Sequence, residues 1–294
     1  MRLLFRHWHR KAAFAAGLAL LLGFQLGCAT LDERQRAWIF QPGDRVWYGG
    51  AAAAEGLDDA WIGYESRAAE SRGQQVRLHG LWLPQDDPAA PVLLYLHGAR
   101  FDVRTSASRM RRMHDLGFAV LAIDYRGFGR STATLPSQDL ATEDAHAAWD
   151  WLAKQCPQSR RFIFGHSLGG AIAVQLAAEV PDEAGLIVEG SFTSIPDVVS
   201  TFRWGWLPVG PLITQRFDAA SRIADIGSPL LVVHGSNDTL IQPALGRALF
   251  ERAREPKRFL LVEGGSHHST NDLGQPQYRE AVAELFGVGR APQP

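Results

Sequence analysis

The stretch FIFGHSLGGAIAVQLAAE, Phe162 to Glu179, decides how the rest of the chain is read. A short apolar run meets a longer apolar run through a turn crowded with Gly165, Gly169 and Gly170, and Ser167 stands at the apex. The first run has the length of a strand and the second that of a helix. A serine at a sharp bend has two readings, an ordinary turn residue or a nucleophile held clear of the backbone. What lies elsewhere in the chain separates them.

Outward from this stretch the same pattern repeats. PVLLYLHG, FAVLAIDYRG, GLIVEGS, PLLVVHGS and KRFLLVEGG are short continuous apolar runs, each ending at Gly, Ser or Asp. Runs that are apolar on both faces belong to a buried parallel sheet. Helical patterns separate them at 105–116, 137–155, 168–179, 244–254 and 277–286. AWIGYESR and QQVRLHGLWLP alternate apolar and polar residues and read as an antiparallel pair ahead of the parallel part. The expected fold is therefore α/β, a mostly parallel doubly wound sheet flanked by helices. Only TFRWGWLPVGPLITQRFD, Thr201 to Asp218, breaks the alternation, and it reads as a short lid. For Trp204 and Trp206 ordinary packing and substrate-pocket lining both stay open.

Ligands of open α/β sheets bind beyond the carboxyl ends of the strands. The residues there are His97, Gly98 and Ala99, then Asp124 and Arg126, then Ser167, then Asp238, and last His267 and His268. A serine hydroxyl is a weak nucleophile and needs a base within hydrogen-bond reach. Ser167 is the expected nucleophile, His267 the base and Asp238 the carboxylate that orients the imidazole. A strained strand-to-helix turn would expose the hydroxyl, and the helix starting at Leu168 would aim free N–H groups at developing negative charge. The backbone N–H of Leu168 is one expected oxyanion donor. His166 and His97 read as loop-holding residues, His234 as a core histidine, and Asp124 and Arg126 as braces. No His/Cys cluster with metal-ligand spacing is present, and GFGRS lacks the third glycine of a dinucleotide loop, so neither a metal nor a cofactor is expected.

The motifs LHG, DYRGFGRS, GHSLGG, EGSFTSI and HGSNDTLI, between about residues 61 and 287, resemble the α/β-hydrolase superfamily. Within it they look most like the small-lidded serine hydrolases grouped with BEM46-like and serine aminopeptidase-type sequences. The order Ser…Asp…His is that superfamily's. The resemblance implies a second oxyanion donor after LYLHG, the N–H of Ala99. It also implies a serine hydrolase of carboxylic esters or thioesters acting through an acyl-enzyme on a small-molecule or lipid acyl substrate. A peptidase or amidase of the same fold and a non-catalytic envelope binding protein are the alternatives. The chain departs from the pattern at Ala99-Arg100-Phe101-Asp102, where relatives often carry HGNAGN, and at His268.

The remaining features bound the answer. Of 294 residues 46% are hydrophobic and 21% charged, with a net charge of -1, which fits a large globular core and gives no footing for nucleic acid. Two cysteines, Cys28 and Cys156, cannot build a disulfide framework. Cys156 reads as a structural or surface thiol. Arg2, Arg6, Arg10 and Lys11 precede an apolar run from Ala12 to Leu22 and then Leu26-Gly27-Cys28. This is the pattern of a targeting segment, and its end resembles a bacterial lipobox, with Gln25 departing from it. A membrane-anchored envelope lipoprotein with lipid on Cys28 is expected, the outer membrane weakly favoured; an uncleaved N-terminal inner-membrane anchor and simple secretion are the alternatives. The organisation expected is a targeting segment at 1–28, an irregular tether and lead-in at 29–60, the hydrolase domain at 61–287 with its lid at about 200–218, and a tail at 288–294.

Overall fold

The computed structural model describes residues 29–47 and 49–289. Residues 29–40 form helix α1. There follow α2 (Gly50–Ala53), β1 (Asp58–Glu65), β2 (Gln75–Leu83), β3 (Val92–Leu96), α3 (Ala107–His114), β4 (Ala119–Ile123) and α4 (Gln138–Gln155). The second half holds β5 (Arg161–His166), α5 (Leu168–Glu179), β6 (Glu183–Glu189), α6 (Ile195–Ser200), β7 (Leu230–Gly235), α7 (Pro243–Arg252), β8 (Lys257–Val262), α8 (Thr270–Leu273) and α9 (Gln275–Phe286).

The eight strands form one sheet in the order β1-β2-β4-β3-β5-β6-β7-β8. β1 pairs β2 and β2 pairs β4 antiparallel, and every later pair is parallel. Period-two alternation makes two cores from the same strands. Leu94, Leu96 and Ile163 join the layer under α4 and α5, whereas Leu93, Tyr95, Phe162 and Phe164 face Met110 and Met113 of α3 and Tyr278 and Phe286 of α9. Both faces of β3 are therefore buried, which is why its sequence VLLYL carries no polar residue. Between β3 and β5 the chain reverses its direction of travel across the sheet, and this switch point is where such sheets open a crevice.

Local chemistry sets the helix limits. Ser137 caps α4, its Oγ accepting from the Leu140 N–H at 3.1 Å, and Ser194 caps α6 by accepting from the Asp197 N–H at 3.2 Å. α5 is buried almost all round, as a helix apolar on every side must be. α9 stops at Gly287, whose φ of 65° lies in the left-handed region.

Three expectations change. The lead-in is not an irregular tether: residues 29–40 are helical, and Phe40 is fully buried with its ring 5.6 Å from that of Phe217. The first strand begins at Asp58, two residues before the Ala60 at which AWIGYESR starts. Val288, placed in the tail, is buried in the α3/α9 core layer, while residues 290–294 lie outside the described residues, as do 1–28 with Cys28. Among the described residues no helix is long and apolar enough to cross a membrane.

The turn between β5 and α5 depends on close backbone approach. A methyl group on Gly169 would overlap the carbonyl oxygens of Leu96 and His97 at the end of β3, and one on Gly165 would meet Ala173 and the Gly169 carbonyl. Gly169→Ala is expected to lose about 1–3 kcal/mol or more, the range for overpacking a dense interior. Urea unfolding of the variant checks it, and an unchanged midpoint would mean that β3 and α5 can move apart.

Candidate active site

Ser167 links β5 to α5 without any intervening loop. Its φ of 56° and ψ of -122° are ones that side-chain-bearing residues avoid, at a cost of about 1–3 kcal/mol. The strain is held by the Ser167 N–H donating to the Glu189 carbonyl at 2.9 Å and by the Gly170 N–H donating back to the Ser167 carbonyl at 2.9 Å. Ser191 Oγ donates to that same carbonyl at 2.9 Å. The side chain remains half-buried at the sheet's carboxyl edge.

His267 and Asp238 are brought together. Nδ1 of His267 donates to Oδ2 of Asp238 at 2.8 Å, which leaves Nε2 as the ring's other functional atom. The second carboxylate oxygen accepts from the N–H groups of Leu240 at 3.0 Å and Ile241 at 2.9 Å. Burial alone would push the Asp238 carboxyl up, but hydrogen bonds from His234 and His267, the nearby His267 charge and the Ile241 N–H together hold it well below the usual carboxylate range. His234 is thus more than a core histidine. Its Nε2 donates to the Ile241 carbonyl at 2.9 Å and lies 3.4 Å from Asp238 Oδ2, so it braces the loop that carries the acid.

Behind His267 stands a buried polar network. Arg109 on α3 pairs with Glu189 at 3.0 Å, and Tyr278 donates to the other oxygen of the same carboxylate. The Arg109 guanidinium also donates to the carbonyls of His267 and His268, at 3.4 and 3.2 Å. His166 donates through Nε2 to the His267 carbonyl at 3.0 Å. Burial, followed by the neighbouring Arg109 and His267 charges, drives the His166 pKa well down, so this ring stays neutral. No sequence signal marked Arg109, which sits in an ordinary helical stretch.

The loop after β3 packs directly on the serine, since a methyl on Gly98 would come within 3.0 Å of Ser167 Cβ. Among the described residues the N–H groups of Ala99 and Leu168 make no backbone hydrogen bond outside the helices and strands. The loop is fixed from outside: Arg100, at φ 86°, donates its N–H to the Phe40 carbonyl at 2.9 Å, and the Asp102 N–H donates to the Arg45 carbonyl at 2.9 Å. Trp47, expected in the tether and lead-in, lies against the edge of Phe101 (5.2 Å) and stacks on His268 (5.4 Å). His97 holds the Gly98 carbonyl through Nδ1 at 2.6 Å. Asp124 accepts from the Val103 N–H at 2.7 Å, and Arg126 is buried against Asp144 at 2.8 Å and Glu143 at 2.7 Å, so both brace loops. Trp204 and Trp206 are exposed, which removes ordinary core packing as their role. Cavities of about 570 and 990 Å³ lie elsewhere, beside Arg36 and Gln215 and along α4, and neither is lined by Ser167, Asp238 or His267. Among the described residues no His, Cys, Asp and Glu group is arranged to hold a metal.

A family model described as serine aminopeptidase, S33, matches residues 87–217, from ahead of β3 to the end of the lid. An uncharacterized protein of Mycobacterium tuberculosis, Rv2307c, is 35% identical over 214 residues, covering 72% of this chain and 75% of that protein. The chain belongs to the S33 serine aminopeptidase-like family of α/β-hydrolases. It is an α/β-hydrolase enzyme. Lysophosphatidylserine lipase ABHD12 of Danio rerio is 30% identical over 186 residues, 57% of this chain and 48% of that one. The solved esterase Pf2001 of Pyrococcus furiosus superposes with a TM-score of 0.64 at 20% identity, covering 85% of this chain and 97% of that chain, and so shares the fold.

The depressed Asp238 pKa carries a sign. A carboxylate whose folded pKa lies below its unfolded value of about 3.9 adds stability above that pH and loses it as pH falls through the folded pKa. Asp238→Asn should therefore be less stable than the native protein at neutral pH, and the difference should shrink as the pH drops below about 4. Thermal unfolding across that range checks it; parallel curves would show that the carboxylate is not stabilised by folding.

Proposed function

We infer that this enzyme cleaves carboxylic esters or thioesters through a Ser167–His267–Asp238 triad and an acyl-enzyme, at a membrane surface. The observation that carries the reading is the strained φ of Ser167, next in sequence to the His166 that bonds the His267 carbonyl, together with a His267 imidazole already oriented by a buried carboxylate. A backbone strain of this size persists where it positions a reactive group.

In this scheme Ser167 Oγ attacks the acyl carbon and its proton passes to Nε2 of His267. Negative charge gathers on the carbonyl oxygen between the N–H groups of Ala99 and Leu168, at the positive end of α5. Asp238 keeps Nδ1 protonated and stabilises the imidazolium. The tetrahedral adduct collapses, the leaving alkoxide or thiolate takes the proton from His267, and the acyl group remains on Ser167. Water, deprotonated by His267, then attacks the acyl-enzyme ester, and as the second adduct collapses to the acid His267 returns the proton to Ser167 Oγ. The lipase relatives favour an ester substrate over a peptide bond, and an acyl lipid suits a chain tethered at Cys28. Dual or multiple acyl chains supply such tethering at about 0.8 kcal/mol per buried methylene.

A fluorophosphonate should label the native protein covalently and leave Ser167→Ala unlabelled though folded. His267→Ala should lose turnover by about 10⁴-fold or more, because triad members act as a unit, whereas His268→Ala should keep most of it. The opposite pattern would shift the base by one residue, and labelling of Ser167→Ala would sink the nucleophile assignment. For the tether, Cys28→Ser should leave the membrane fraction; unchanged fractionation and mass would favour an uncleaved anchor instead.

A further inference from the structure

Large apolar side chains are mostly buried in this fold, but several stand exposed where α1 meets the 201–218 segment. Trp206 is 74% exposed, Trp204 62%, Leu212 59% and Trp38 58%, with Leu31 and Leu207 exposed as well. Leu31, Gln35 and Trp38 recur at helical spacing and share one face of α1. On that face Gln35 donates through Nε2 to the Leu212 carbonyl at 2.7 Å and accepts from the Thr214 N–H at 2.9 Å. Asp32, one turn earlier, accepts from the Thr214 hydroxyl at 2.6 Å and the Gln215 amide at 2.9 Å. Successive tight turns fold residues 202–212 back on themselves: Gly205 N–H to Phe202, Leu207 N–H to Trp204 and Leu212 N–H to Val209. The helix and the aromatic segment are thus pinned as one surface, and α1 ends at Phe40, whose carbonyl accepts from the Arg100 N–H, two residues past the Gly98 that packs on Ser167.

We propose that this surface docks on a lipid bilayer, with Trp38, Trp204 and Trp206 seated at headgroup depth and the mouth of the site held beside the membrane. The proposal rests on the membrane tether of the preceding reading and adds which face meets the lipid. The tryptophan ring is apolar with one polar N–H, and such rings favour the bilayer interface. The Arg203 guanidinium lies 5.6 Å from the Trp204 ring centroid, bringing positive charge to the rim where anionic headgroups sit. The chain itself leads there. Leu31 stands three residues past Cys28, so at no more than about 3.6 Å per residue the patch begins within about 11 Å of the proposed anchor. Interfacial apolar faces sink about 5–10 Å, so an anchor that close leaves the patch at the lipid surface.

The test uses the full chain with phosphatidylcholine and phosphatidylglycerol vesicles, with and without bromine on the acyl chains. Brominated lipid should quench part of the tryptophan emission. In Trp38→Phe/Trp204→Phe/Trp206→Phe, which keeps apolar rings at these sites, the quenched share should fall by about half or more. A chain that floats with the vesicles but shows the same quenching in both forms keeps its anchor and overturns the docking face. A chain that does not float fails the tether and the proposal together. Shielding of these tryptophans from iodide that grows with protein concentration, without lipid, would assign the face to a second copy of the chain and overturn the proposal as well.

Discussion

A strand and a helix can be joined by a single residue only if that residue takes a backbone conformation that side chains resist. Ser167 takes it, and the rest of the structure is arranged so that it cannot relax. Gly165 and Gly169 let β5 and α5 touch, and Gly169 lies against the carbonyls that end β3. That contact fixes the distance between the serine and the loop holding Ala99. Two separate strands therefore deliver Ser167 and the Ala99 loop to one crevice, which sits at the reversal point of the sheet. The strain costs about 1–3 kcal/mol, small against the burial of α5 on nearly every side, which is why the turn can hold a conformation no exposed loop would keep.

The histidine is positioned by different physics. Its imidazole is held by Asp238, but its backbone is held by charge: the Arg109–Glu189 pair is buried, and Arg109 and His166 both donate into the carbonyl side of the His267 loop. A buried ion pair adds little net stability, because desolvation offsets the attraction. What it supplies is direction, since a guanidinium with several donors can serve a carboxylate and two carbonyls at once. Tyr278 from α9 satisfies the remaining Glu189 oxygen, so three elements distant in sequence, α3, β6 and α9, lock the loop that carries His267.

The sheet and its helices were legible because their signals are local. Five-residue apolar runs ending in Gly or Asp mark buried strands, and α5 follows Ser167 at the residue the pattern indicates. Ser167, Asp238 and His267 were legible as residues because each follows its own strand. What stayed hidden depends on partners far along the chain. Nothing near Arg109 announces Glu189, eighty positions away, and Trp47 looks like part of a spacer until its ring is seen against Phe101 and His268. The N-terminal helix was missed for a related reason. Its charged and polar residues read as a tether, while Ile39 and Phe40 fall at its last turn, too few to show a period.

That helix ties the two ends of the molecule's chemistry together. Its first turns hold the aromatic segment through Asp32 and Gln35, and its last carbonyl fixes the backbone of Arg100, one residue past Ala99. Phe40 anchors it, packed against Phe128 and Phe217. A displacement of α1 would therefore pull on the loop that presents the Ala99 N–H. The reverse also holds, because a hydrogen bond constrains both partners. Part of the support of the loop after β3 thus comes from outside the sheet, from the carbonyls of Phe40 at the end of α1 and Arg45 beyond it. The position of α1 and the geometry of the loop holding Ala99 are thus one mechanical problem, solved by twelve helical residues and a buried phenylalanine.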